Sequence, residues 1–227
     1  MERTKNGIQS GIIIKNENIA FEKGKISVIS SKAGLGKTTL MLGIAKYLSQ
    51  EKTAFSIFSM KETPKELKTL YLKSEKRIVP KKTEAEINIE FKQSMDKNIS
   101  YKPNFYCECC NSNAANIFDY IIITHNHKKT ELFFIDYFQY IQAIQQDGFE
   151  DVKELIKELN VAVVVLFLQR KDSNEMNPLN EEDPFAKILL ANDYKIHTLI
   201  SLYGDDEVYM MISQDGIERG RQYLYHT

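Results

Sequence analysis

The segment running Ser30-Ser31-Lys32-Ala33-Gly34-Leu35-Gly36-Lys37-Thr38-Thr39-Leu40 constrains this chain more than any other. Before it, residues 25–30 (KISVIS) alternate and are β-branched, which predicts a strand. After it, TTLMLGIAKYLSQ places apolar residues at helical spacing. A strand, a glycine-rich turn, Gly-Lys-Thr and a helix, in that order, make a phosphate-binding loop. Backbone N–H groups from Lys32 to Lys37 can curl around a β-phosphate while the helix points its positive end at it. Lys37 would reach the β- and γ-phosphates, and the Thr38 hydroxyl would hold Mg²⁺. Gly34 and Gly36 let the backbone come close without a Cβ in the way. Ser31 stands where the first glycine of such loops usually sits. Residues Ser31 to Thr39, with Ala33 and Leu35 among them, are thus the expected contacts of a nucleoside triphosphate, ATP with Mg²⁺.

A second acidic element fits the first. Leu132 to Asp136 (LFFID) reads as a buried strand, because it is an apolar run without alternation. Asp136, at its end, is placed to hold the magnesium ion through water. The plainer alternative, an aspartate capping a turn, does not explain why the acidic strand follows the loop by about a hundred residues.

The rest of the chain extends the same pattern. Strands are predicted over 53–59, 104–108, 161–168, 196–203 and 207–213. Helices are predicted from Thr63-Pro64, over 116–126 and over 149–159. Residues 84–93 are ambiguous, and 171–184 form a long polar loop. Alternating strands and helices predict an α/β domain with a largely parallel central sheet flanked by helices. The Gly204-Asp205-Asp206 turn closes it with a C-terminal β-hairpin. The length fits one domain over residues 1–227.

Composition narrows the partners. Thirty basic residues against 31 acidic ones leave a net charge of −1. Charge alone therefore does not make this chain a strong nucleic-acid binder; a local basic surface or several pooled subunits would be needed. The opening MERTKNGIQSG lacks the apolar stretch of a signal peptide. The three cysteines fit a reducing compartment. The longest strongly apolar run, Val161 to Leu168, is too short to span a bilayer. A cytoplasmic protein with no membrane partner is expected.

Several segments resemble the RecA-like motor domain of the DnaB replicative helicase family. GKISVISSKAGLGKTTLMLGIAKYL resembles that family's strand, phosphate loop and helix, which tolerates a residue other than glycine at Ser31. IFSMKETPKEL resembles its Phe-Ser-Leu-Glu-Met segment, IDYFQYI its Ile-Asp-Tyr-Leu-Gln segment, and VVVLFLQR its Ser-Gln-Leu strand end. The likeness covers roughly residues 7 to 226, so the amino-terminal domain by which such helicases engage primase is expected to be missing. It implies a RecA-like P-loop NTPase that assembles into a hexameric ring, acts on single-stranded DNA, and serves replication of a plasmid, phage or other mobile element. It also implies Glu62 as the residue orienting the attacking water and Gln169 as the γ-phosphate sensor.

Three departures from the family pattern bear on hydrolysis. Lys61 follows Phe58-Ser59-Met60 where the family has its catalytic glutamate, so Glu62 comes one residue late. Leu168 replaces the serine before the sensing glutamine. The Lys-x-Arg pair that reaches a neighbour's nucleotide is lost from its strand in ISQDGIERGR, leaving Arg219 or Arg221 to replace it. The rival expectation is a catalytically degenerate P-loop protein that binds ATP as a regulatory or structural ligand. A small-molecule phosphotransferase fits the loop but not the DYFQ and LFLQR segments.

Three further features have plainer readings. Cys107, Cys109 and Cys110, with His125 and His127 downstream, have poor zinc spacing and read as buried thiols. The basic stretch 61–82 reads as a solvated helix face, the alternative being a nucleic-acid or partner surface that a ring of subunits would multiply. The loop 171–184 is acidic, which argues against tracking a phosphate backbone.

Overall fold

The computed structural model describes residues 7–59, 62–75, 104–107, 114–136, 153–169, 196–204 and 207–226. In chain order the elements are β1 (Gly7–Ile14), β2 (Glu17–Glu22), β3 (Ile26–Ser31), α1 (Lys37–Gln50), β4 (Phe55–Ser59), α2 (Pro64–Glu75) and β5 (Asn104–Cys107). Then follow α3 (Ala114–Lys128), β6 (Leu132–Asp136), β7 (Ala162–Leu168), β8 (Thr198–Tyr203), β9 (Glu207–Gln214) and β10 (Ile217–His226). Residues 153–158 are also helical.

Eight strands form one sheet in the order β10-β9-β8-β3-β7-β6-β4-β5. Neighbours from β8 to β5 run parallel, and β9 and β10 add an antiparallel edge. β3, β4 and β6 are buried at every position. That is why they read as unbroken apolar or small-residue runs, as strands covered on both faces do. Register defines the two faces. Ile200, Ile29, Leu166, Asp136 and Ser59 form one row across β8, β3, β7, β6 and β4. Alternation puts this row on the face where Met41, Leu42, Ala45 and Leu48 of α1 join the core. Ser201, Ser30 and Phe167 form the next row, on the opposite face.

The predicted sheet and closing hairpin are as expected, but two elements were not foreseen. The first is the separate β1–β2 hairpin. It turns through Lys15 (φ 50) and Asn16 (φ 67), two left-handed residues without the glycine that marks such turns. Asn18 accepts the Gly11 N–H (3.1 Å) and donates to the Tyr47 hydroxyl (3.3 Å), seating the hairpin on α1. The second is β10, which returns from β9 through Asp215-Gly216, both at positive φ.

At the base of the sheet, His197 Nε2 lies 3.0 Å from a Glu22 carboxylate oxygen. Nearby, Gln214 Nε2 donates to Thr198 Oγ1, and Thr198 donates to the Ala20 carbonyl. These contacts tie β2 to the antiparallel edge. No helix among the described residues is long and apolar enough to cross a membrane. Met60, Lys61, residues 76–103, Cys109, Cys110, the 171–184 loop and Asp205-Asp206 lie outside the described residues, and so do the expectations attached to them.

Candidate functional site

In an open parallel sheet, ligands bind beyond the carboxyl ends of the strands. β3, near the middle of this sheet, ends there in the glycine-rich loop. Gly34 (φ 85) and Gly36 (φ 82) are left-handed, a conformation that strains any residue with a side chain. Gly36 caps α1, and the Leu40 N–H donates to its carbonyl (2.8 Å), closing the first helical turn. The first turn of α1 carries no acidic residue, so its positive end faces the loop uncompensated. Ala33, Gly34 and Thr39 are exposed, whereas Ser31 and Leu35 are buried.

Lys37 is buried, and its Nζ donates to the Ser31 carbonyl (3.1 Å), the Ser31 hydroxyl (2.9 Å) and the Lys32 carbonyl (3.3 Å). The ammonium thus spans the loop it would close around a phosphate. Thr38 Oγ1 donates to Asp136 Oδ2 at 3.1 Å, joining α1 to the end of β6 across 98 residues of sequence.

Asp136 is fully buried, and its Oδ1 is left without a hydrogen-bond partner. Its carboxyl is pushed up to about 7, mainly by burial and then by the charge of Glu62; Thr38 and Lys37 pull the other way. The chain therefore brings Glu62 against Asp136 despite the one-residue offset. Ser59, in register with Asp136, donates to Glu62 Oε2 (3.0 Å) and accepts the Glu62 N–H (3.0 Å). Ser59 escaped notice in the sequence, because a serine at a strand end carries no chemical signal of its own. An orphaned buried carboxylate oxygen beside a threonine hydroxyl is an oxygen set suited to a hard divalent cation. The residues present fit Mg²⁺.

Gln169 is placed differently. Its backbone N–H donates to the Ser31 carbonyl (2.8 Å), so it borders the loop. Its side chain, however, lies on the opposite face from Asp136. There Nε2 donates to Ser30 Oγ (3.1 Å), which pairs with Ser201 Oγ (3.1 Å). Arg219 and Arg221 are exposed on β10, with β9 and β8 between them and β3. Arg219 falls at a bulge between Glu218 and Gly220, and Arg221 pairs with Glu218 at 3.1 Å. Neither reaches the phosphate loop of its own chain. His125 Nδ1 lies 2.8 Å from the Thr130 carbonyl, and no metal-binding group of His, Cys, Asp and Glu occurs among the described residues.

A phosphate loop at the centre of a parallel sheet, facing an aspartate two strands away, defines a P-loop nucleotide-binding domain of RecA-like build. The family profile described as "DnaB-like helicase C terminal domain" matches residues 7–178, and the chain belongs to that family of helicase-type ATPase domains. β8, β9 and β10 lie beyond the matched span. Among solved structures, one titled as an ATPase domain is similar with a TM-score of 0.63 and 16% identity, covering 88% of this chain and 81% of that one. A structure titled "The Structure Of A DnaB-Like Replicative Helicase And Its Interactions With Primase" is similar with a TM-score of 0.61 and 16% identity. It is covered over 56% of its length and covers 89% of this chain. No curated protein matches the sequence significantly.

Proposed function

We propose that residues 1–227 form one motor domain that binds and hydrolyses ATP with Mg²⁺ as a subunit of a hexameric, helicase-type ring on single-stranded DNA. The observation carrying this reading is the convergence of Thr38 on Asp136 beside Lys37, with Glu62 drawn against the same aspartate. The loop from Ser31 to Thr39 would cradle the phosphates. Lys37 would exchange its contacts with Ser31 and Lys32 for phosphate oxygens. Thr38 and Asp136 would hold Mg²⁺, which, when bound, neutralises charge on the phosphates. Glu62 would orient the attacking water. Gln169 would sense the γ-phosphate, and Arg219 or Arg221 would act on a neighbour's nucleotide. The setting we propose is cytoplasmic replication of a plasmid, phage or other mobile element.

A second reading, ATP as a regulatory ligand of a degenerate motor, is favoured by one observation. Gln169 is bonded to Ser30 on the face away from Asp136. Two substitutions separate the readings. Lys37→Ala should lose most of its ATP affinity by calorimetry, because a charge-assisted phosphate contact disappears. Glu62→Gln should keep ATP affinity while turnover, with or without single-stranded DNA, falls by about 10² or more. Undiminished ATP binding by Lys37→Ala removes the phosphate-loop assignment. A wild type that binds ATP without turning it over selects the regulatory reading.

A further inference from the structure

Glu62 reaches the site although it comes one residue after the position from which a straight strand would aim a side chain there. Ser59 and Asp136 share a register row and a face. Continued alternation from Ser59 would turn residue 61 towards that face and Glu62 away from it. The strand does not continue: β4 ends at Ser59 and α2 begins at Pro64.

At that end the Ser59 hydroxyl is used twice. Its oxygen accepts the Glu62 N–H at 3.0 Å, which fixes where the backbone turns. Its proton goes to Glu62 Oε2 at 3.0 Å, which fixes where the side chain points. Ser59 itself is only 1% exposed, so the clasp is anchored in the sheet. A glutamate side chain otherwise has much rotamer freedom, and ordering it before the reaction is one way a site gains rate.

We propose that Ser59 is the positioning residue that turns Glu62 into the nucleotide site and so makes good the one-residue offset. This rests on the reading of Glu62 as the residue that orients water. The Ser59 hydroxyl supplies, from one oxygen, both an acceptor for the N–H and a donor for the carboxylate. Ser59→Thr retains it, and Ser59→Ala removes both bonds while leaving a small side chain that the buried site can hold.

The test compares wild type, Ser59→Ala and Ser59→Thr in two ways. In crystals of the nucleotide-free proteins, Glu62 should lie against Asp136 in wild type and Ser59→Thr and be turned away in Ser59→Ala. In solution, Ser59→Ala should lose about tenfold or more in kcat with ATP affinity and KM within about twofold of wild type, and Ser59→Thr should recover most of the loss. Glu62 still against Asp136 in Ser59→Ala overturns the proposal, as does a fall in ATP affinity equal to the fall in kcat. If wild type hydrolyses nothing, the motor reading fails, and the crystallographic comparison still decides the role of Ser59.

Discussion

At Asp136, burial acts on a carboxyl whose unperturbed pKa is 3.8 and pushes it to about 7, with the Glu62 charge adding to the effect. An acid that holds its proton more tightly when folded stabilises the native state most fully below its unfolded pKa. That contribution shrinks as pH rises from about 4 to about 7 and stays lost above. Asp136→Asn removes the ionisation while keeping both neighbours: its carbonyl can accept from Thr38 and its amide can donate to Glu62. The nucleotide-free variant should therefore be more stable than wild type at pH 8, on the order of 1–3 kcal/mol in urea unfolding. The difference should vanish near pH 4, and Mg²⁺-dependent ATP binding should weaken. Equal stability at pH 8 would contradict the burial argument.

Among the elements, the β1–β2 hairpin and α1 meet at a glycine that no other residue suits. A Cβ on Gly11 would lie 2.4 Å from the Tyr47 ring, and Gly11 sits at φ +79. Gly43, inside α1, has open space where a Cβ would go. Gly11→Ala should cost about 2 kcal/mol or more, whereas Gly43→Ala should add about 0.5–1 kcal/mol. Denaturant melts of the two variants read both signs directly. A neutral Gly11→Ala would detach the hairpin from α1.

These elements also mark how far the sequence could be read. β6 and β7 were legible because burial leaves continuous apolar runs, β3 because its residues alternate and are β-branched, and Lys37, Thr38 and Asp136 because their motif fixes both spacing and chemistry. β1 and β2 were not, since a Lys15-Asn16 turn lacks the usual glycine. β10 was not, because Ile217-Glu218-Arg219-Gly220-Arg221 is an exposed edge that alternates poorly, although Asp215-Gly216 was a hairpin signal in plain view. The placement of the Gln169 side chain was not legible for another reason. A strand end fixes where a backbone lies, but Ser30 and Ser201 on neighbouring strands decide where the amide goes.

For the whole molecule, β10 with its arginines is an edge strand, with β9 and β8 between it and the strand that carries the phosphate loop. If Arg219 or Arg221 takes part in hydrolysis, it must do so on another subunit. ATP should then favour oligomers, with hexamers expected by sedimentation. Replacing the responsible arginine by Ala should lower turnover by about tenfold or more while ATP affinity stays within about twofold. Mixing that variant with Lys37→Ala should restore some turnover, because one partner supplies the arginine and the other the intact loop. A strict monomer with ATP at high concentration, or no recovery on mixing, would remove both arginines from the site.

The placement of β3 between β7 and β8 has a consequence for how the protein is made. The strand that carries the phosphate loop emerges early, yet Ser31 is flanked by Leu168 on one side and Leu202 on the other. Until the ribosome has delivered residues near 202, β3 lacks a neighbour, and its apolar side chains have no finished sheet to enter. At about 5–20 residues per second, that interval lasts on the order of ten seconds or more. Nucleotide cannot shorten the wait, because the site that would bind it depends on the strands still to come. The nucleotide site is thus among the last features that synthesis completes.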